Sequence, residues 1–457
     1  TDSTDSTDST DSTDSTDSTE NQAFTDEMTQ KEEQLTSGNL LLKKVKETIE
    51  TRDNSIVDAV KPGLSTNPEN VKRVESIVSE NDWNYLFPVR NSAYTYTNFL
   101  KAIAKFPAIC HTYDDGRDSD AICRKILATM FTHFTKETGA NNVHLDEPQW
   151  RQGLYFLREA GLNENSTGAY NANCGTDDWT AERYPCGKFE AGANSGQYKS
   201  YFGRGAKQLS YNYNYGPFSE AMYGDSSVLL DAPELVADTW LNLASAIYFF
   251  IYPQPPKPSM LYVIDGTWQP NSADVTNGIS AGFGATTNII NGGIECNKGT
   301  ETYQAIARMA YYGEYAKYLN VTIPNNEELG CKAMKQFPSD GAGSVDIYWG
   351  KDWSGNNQCK LVGYQTAYSA LIKGDYQKCV VKNFPDVVPV DNSSTTDNSS
   401  TTDNSSTTDN SSTTDNSWDN DTVYYTNDTA SYSGKTYKAK WWTQGNIPSD
   451  GGPWAQI

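Results

Sequence analysis

Histidine is nearly missing from this chain: His111, His133 and His144 are the only three in 457 residues. They share no metal-ligand spacing, and no cysteine pair reads CxxC, so a metal centre of that kind is excluded and no metal or other cofactor is expected. Long apolar runs are missing too, which leaves no stretch of membrane-spanning length. Basic residues are scarce, with 36 Lys and Arg against 58 Asp and Glu, a net charge of −22. Such a balance argues against nucleic acid and anionic membranes, which attract basic proteins. Most of the imbalance lies in two tracts: residues 1–36 carry eleven acidic residues against Lys31 alone, and residues 386–421 carry eight Asp with no Lys or Arg. The remainder is close to neutral, which suits a neutral polymer as partner.

Cysteine is absent from both tails, and the eight present fall between Cys110 and Cys379. An even count, together with glycosylation sequons, predicts disulfides and an extracellular, oxidising compartment. The chain opens inside a repeat without an initiator Met or a signal peptide, as expected of a mature or partial form.

Composition divides the chain. Residues 1–37 begin as a TDS repeat and read as a disordered acidic tail. Residues 38–80 turn helical, with Leu41, Val45 and Ile49 four apart, and are expected to pack on the body that follows. Residues 332–388 hold Cys359 and Cys379 and a helix-like YQTAYSALI, with no recognisable role. Over 389–416 runs a DNSSTT linker whose Asn392, Asn398, Asn404 and Asn410 are glycosylation acceptors. Residues 417–457 are short, aromatic and strand-like about the Ser433-Gly434 turn, a small antiparallel module. In a strand, adjacent Trp441 and Trp442 point to opposite faces, so one can be core while the other stays outside.

Two carboxylates stand out. Ile122, Ile126, Met130 and Phe134 are spaced by four in a helix predicted over Asp120–Glu137, with Gly139 as its stop. Glu137 closes that helix, where the dipole disfavours the anion and is expected to raise its pKa, as a general acid needs. An exposed Glu at a helix end is also commonplace. Glu159, in QWRQGLYFLREAGL, is predicted on a second helix through Trp150, Leu154 and Leu157, where Arg158 or solvent could satisfy it without chemistry.

The chain is organised around Tyr201–Pro217, YFGRGAKQLSYNYNYGP. Its glycines force a tight backbone, and Gln208, Ser210, Asn212 and Asn214 share a parity that gives an extended run one polar face. A turn network without ligand would explain that face, and so would a surface that grips sugars.

FGRGAKQLSYNYNYG resembles the sugar-binding signature of the family 19 chitinases, and YTYTNFLKAIAKFPAIC from Tyr94 resembles a second motif of the family. The likeness covers roughly 81–331. It implies a mainly α-helical, two-lobed, lysozyme-like catalytic domain around a cleft, acting as a monomer. Glu137-Thr138-Gly139 matches the family's acid and Glu159 its base, although Lys136 stands where plant members often have His; its side chain is expected to point outward. By the same resemblance Ser210 holds the attacking water, Gln208, Tyr213, Asn214 and Asn291 bind the sugar chain, and Tyr184 in ERYPC replaces a stacking Trp. Trp268 in GTWQP belongs to a further motif with substrate contact, and Glu295 and Arg308 match a pair that tunes the base, their interval one residue longer than in plant members. Cys174 with Cys186 and Cys296 with Cys331 follow from the resemblance; Cys110 with Cys123 and Cys359 with Cys379 follow from proximity in sequence.

YKAKWWTQGNIP followed by GPW resembles the type 3 chitin-binding domain, where Tyr437, Trp441, Trp442 and Trp454 are candidates for a flat aromatic surface. The combination implies a secreted endochitinase acting on chitin or chitooligosaccharides by inversion. A peptidoglycan hydrolase of the same fold and a non-catalytic chitin lectin are the alternatives; the acidic chain speaks against anionic walls, and retention of both carboxylates against a lectin.

Overall fold

A computed structural model of the chain describes residues 14–347, 359, 361–362, 366–389, 417–419, 424, 429–439, 447–450 and 454–457. They divide into two compact units, the larger being Thr36–Tyr348 with Leu361–Ile372. The first element, α1 (Asp14–Ser37), corrects the expectation of an unstructured tail over residues 14–37, while the start of the TDS repeat lies outside the described residues. Phe24, Met28, Glu32 and Thr36 recur every four residues and are buried. Only two of the four are apolar, so hydrophobic periodicity did not reveal the stripe.

The larger unit is mainly helical. Its first helices, α2 (Leu40–Thr48), α3 (Asn54–Asp58) and α4 (Glu69–Ile77), place Val45, Val57, Val71 and Val74 in the same apolar core as the body that follows. Next come α5 (Glu80–Leu86), α6 (Tyr96–Lys105) and α7 (Ser119–Thr138), which meet around the buried Trp83. That indole stacks on Phe99 at 4.6 Å, and Phe131 meets it edge-on at 6.0 Å. Helix α7 is buried on almost every side along its C-terminal half, which explains why its pattern is only weakly amphipathic. Its interior threonines are tolerated because Thr129 and Thr132 donate back to the Lys125 and Ala128 carbonyls.

Short helices follow: α8 (Trp179–Arg183), α9 (Asn212–Tyr223), α10 (Ser227–Asp231) and α11 (Leu235–Asp238). The apolar α12 (Leu241–Ile251) precedes α13 (Met260–Ile264) and α14 (Ser272–Thr276), and α15 (Phe283–Glu295) and α16 (Tyr303–Tyr318) complete the helical body. A two-residue antiparallel pair, β1 (Asp346–Ile347) with β2 (Leu361–Val362), belongs to the same unit. The helix-like reading of YQTAYSALI is not met: residues 366–372 form turns. All four expected disulfides are present.

In the smaller unit α17 (Asp375–Asn383) starts where Gly374 donates its N–H to the Glu32 carboxylate of α1 at 3.3 Å. A carboxylate is favoured at a helix N-terminus by the helix dipole. The same unit contains an antiparallel sheet in the order β3 (Thr429–Tyr432), β4 (Lys435–Ala439), β5 (Trp454–Gln456). Ala430 lies opposite Tyr437, and Ala439 opposite Trp454. Tyr437 and Trp454 are buried with Tyr424, so two of the four aromatics expected to contact chitin are instead the core of this small module. So small a sheet has little else to bury. Trp441 and Trp442, like the linker sequons, lie outside the described residues.

Candidate active site

Glu137 sits in the last turn of α7, and its carboxylate accepts a 2.5 Å hydrogen bond from Arg308 Nη2, delivered by α16. Arg308 is buried, and all three of its nitrogens donate. Its Nε and Nη2 donate to Glu295 at 3.0 and 2.9 Å, and its Nη1 donates to His133 Nδ1 at 2.9 Å. A guanidinium can only donate, so Nδ1 must be unprotonated and the imidazole proton sits on Nε2. That N–H donates to Thr286 Oγ1 at 3.0 Å, and the Thr286 hydroxyl donates in turn to the Phe283 carbonyl. Burial, followed by the Arg308 charge, holds His133 well below the usual histidine range, in keeping with that neutral tautomer.

These contacts change the expected electrostatics of Glu137. Burial alone pushes its carboxyl up, but Arg308 and then Lys207 outweigh burial and hold it below the ordinary glutamate value. Lys136 adds a smaller pull in the same direction. The helix dipole is therefore not decisive here, because a full charge in contact outweighs a partial charge at the helix end. The pair expected to tune the base also acts elsewhere: Arg308 joins Glu295 to Glu137, not to Glu159.

Asn291 extends the same frame, donating to Glu295 Oε1 at 2.8 Å from a point where the backbone of α15 leaves helical geometry, at φ −149° and ψ 29°.

Glu159 is on a loop, not on the second helix expected for it. Helix stops after a single turn at Gln149–Arg151, and Leu154 adopts a left-handed φ of 59°. What competes with helix is the end of α7. Leu154 N donates to Thr138 Oγ1, and the N–H groups of Tyr155 and Phe156 donate to the Thr138 carbonyl. The residue after Glu137 thus anchors the strand-like run that leads to Glu159. Glu159 Oε1 accepts from Tyr170 Oη at 2.9 Å and Oε2 from Gly203 N at 3.1 Å, while its own N–H donates to the Gly203 carbonyl at 2.9 Å. Arg158 turns away to Glu164 and Asp238.

The central motif is not one extended run. Gly205 takes a φ of 72°, and a Cβ there would lie 2.6 Å from the Asn242 carbonyl, so only glycine fits. Gln208 and Tyr211 are also left-handed, and α9 begins at Asn212. The shared polar face is therefore broken. Asn212 is buried and donates to the Thr180 and Tyr184 carbonyls, whereas Gln208, Ser210, Tyr213 and Asn214 line a cavity of about 360 Å³. Ser210 Oγ donates to the Gln208 carbonyl at 3.0 Å, and Asn214 Nδ2 to the Ser210 carbonyl at 2.9 Å. Tyr184, expected to stack on a sugar, is a correction: it is 3% exposed with its ring pressed on Gly216, where a Cβ would come within 2.1 Å of it, so it backs the wall of the same cavity and does not present a stacking face. Lys207, Phe249 and Ile290 line both this cavity and the small cleft beside Glu137, so the two are neighbours.

The family model described as chitinase class I, glycoside hydrolase family 19, matches residues 77–331, and that of carbohydrate-binding module family 5/12 matches 417–455. The chain belongs to the class I chitinase family. An endochitinase of Carica papaya is 34% identical over 272 residues, which is 58% of this chain and 99% of the relative. Chitinase 9 of Oryza sativa subsp. japonica is 36% identical over 274 residues, 58% of this chain and 73% of the relative. Among solved structures, chitinase C from Streptomyces griseus is 28% identical, with a TM-score of 0.39 over 56% of this chain and 97% of that one.

Against this class I chitinase frame, Trp268 is a correction. It is 4% exposed and packs edge-on against Phe337 at 6.0 Å, so its ring is not presented to a sugar. Several residues of the site were missed in sequence. His133 lies four before Glu137, one helical turn back on the same face, and that spacing could have revealed it. Lys207, inside the signature, reaches over the Phe249 ring at 4.4 Å, and burial lowers its pKa while Glu137 supports its charge. Tyr170 could not be found by spacing, because it reaches Glu159 through loop geometry with φ 57°. Its ring meets Tyr211 edge-on, and Tyr211 stacks flat on Tyr213. Arg204 is structural: it pairs with Glu164 and Tyr215, tying the loop that carries Tyr170 to the signature.

Proposed function

We propose that the chain is a secreted endochitinase that hydrolyses β-1,4 bonds between N-acetylglucosamine units with inversion of configuration. The observation that carries this reading is a pair of carboxylates held in separate frames, Glu137 by Arg308 and Glu159 by Tyr170 and Gly203. Glu137 protonates the leaving oxygen. Glu159, with both oxygens already accepting hydrogen bonds, is suited to remain an acceptor and takes a proton from water on the opposite face of the sugar. Ser210 Oγ donates its hydrogen bond to the Gln208 carbonyl, which leaves its lone pairs to accept a hydrogen bond from that water. Gln208, Tyr213, Asn214 and Asn291 bind the sugar chain.

Glu137 must carry a proton to act, yet Arg308 favours its anion. Glu295 resolves the conflict, because it competes for the same Nη2. A sugar arriving beside Glu137 removes water and raises the cost of its charge, and the guanidinium then settles on Glu295. The four disulfides support an oxidising, extracellular setting. Product analysis on chitin hexamer with anomer detection tests the mechanism: newly formed α-anomer is expected, and β-anomer overturns inversion. Release of sugar from purified peptidoglycan but not from chitin would overturn the substrate.

The C-terminal module raises local substrate concentration without entering the chemistry. Deleting residues 389–457 is expected to lower activity on crystalline chitin and to leave soluble oligomers almost unaffected. Equal loss on both substrates would contradict this division of labour.

A further inference from the structure

The cavity beside the signature has a wall that the family domain does not supply. Thr366, Ser369, Leu371 and Ile372 line it, and all four lie beyond residue 331, where the match to the chitinase family ends. They face the Tyr248–Lys257 stretch and the start of α9 across a space of about 360 Å³, within the size range of small-molecule sites. The wall is fastened in place. Arg183 Nε donates to the Ala367 carbonyl at 3.1 Å, and its guanidinium lies between the rings of Tyr184 and Tyr368, at 5.0 and 5.8 Å. Within the turn, Thr366 Oγ1 donates to the Tyr368 carbonyl and Leu371 N to Ser369 Oγ, while Ala370 is buried. Residues 361–372 belong to the same compact unit as Glu137 and Glu159.

The lining chemistry suits a pyranose with an acetamido group. Leu371, Ile372 and Tyr248 offer apolar surface to ring C–H groups and a methyl, and Ser369, Gln254 and Asn214 offer hydroxyl and amide groups. Gln208, Ser210 and Asn214 line the same cavity, and Lys207, Phe249 and Ile290 are shared with the cleft beside Glu137, so an occupant lies next to the acid and can belong to the same polymer whose bond is cut.

We infer that the turn 366–372 builds an added subsite for one N-acetylglucosamine unit of the bound chain, one that makes cleavage depend on substrate length. This rests on the chitinase reading above. Remote binding of this kind should show in the kinetics of long substrates and not in those of short ones.

The test uses the full chain with two opposite changes, Ser369→Trp to fill the space and Leu371→Ala to widen it. Kinetics are measured on chitin oligomers from trimer to hexamer, with the hexamer product ratio read alongside. Both variants should lose roughly tenfold in kcat/KM on the longest oligomers and little on the shortest one cleaved, and the hexamer product ratio should shift. Equal loss at every length, or no change at any length, overturns the subsite and leaves the chitinase reading standing. A wild-type chain that cleaves no chitin oligomer overturns the chitinase reading, and the subsite with it.

Discussion

Glu137→Gln and Glu159→Gln should each lower turnover of chitin hexamer roughly 10²–10⁴-fold, the usual worth of a positioned acid or base. They should nevertheless fail differently. An amide at 137 cannot protonate a sugar alkoxide, but an aryl leaving group of low basicity departs without that proton. Glu137→Gln should therefore recover much of its loss on an activated aryl substrate. At 159 the deficit lies with water, whatever departs, so an activated substrate should give no rescue. Azide, which needs no base, should restore turnover in Glu159→Gln and yield a glycosyl azide of inverted configuration. A retained azide product, or near-normal hexamer hydrolysis by both variants, would show that acid and base have been wrongly assigned. The frame allows both tests, since neither carboxylate supports the other: Glu137 bonds Arg308, and Glu159 bonds Tyr170 and Gly203.

Which parts of this site were readable in sequence follows from how local their causes are. Helix α7 was readable because apolar residues four apart need only the helix itself. The helix expected at Glu159 failed because its cause is tertiary: the Thr138 hydroxyl and carbonyl capture three backbone N–H groups that a helix would have used. Likewise Asn212 shares parity with Gln208 and Ser210 yet turns inward, since left-handed Gln208 and Tyr211 break the alternation. The pairing of Glu295 and Arg308 was visible through resemblance. Its contact with Glu137 required knowing how α7, α15 and α16 converge. The turn 366–372 lies furthest from inference, because it matches no motif and its role depends on what it faces.

Arg308→Met should act on stability and on pH dependence together, and a second variant separates the two effects. Arg308 and Glu295 are each 1% exposed, so removing the guanidinium leaves a buried carboxylate uncompensated. Breaking such a pair costs about 3–5 kcal/mol, which in a body of this size lowers Tm by on the order of 10 °C. Glu137 also loses the strongest of the influences that depress its pKa, leaving Lys207 and Lys136 alone to oppose burial. Its pKa rises, the acid stays protonated to higher pH, and the alkaline limb of kcat/KM should move upward. The stability profile moves in a complementary way. A carboxylate whose folded pKa is depressed contributes stability that is full above its unfolded pKa and is lost as pH falls through the folded value. Arg308→Met should therefore lose less stability on acidification than the wild type, through Glu137. In the double variant Arg308→Met with Glu295→Leu the fully buried Glu295 carboxylate is no longer left without its guanidinium, so much of the Tm should return. The alkaline limb should stay displaced, because the guanidinium that held Glu137 down is still missing. Recovery of Tm together with a wild-type limb would show that Arg308 serves folding alone, and an unmoved limb in both variants would remove it from the control of the acid.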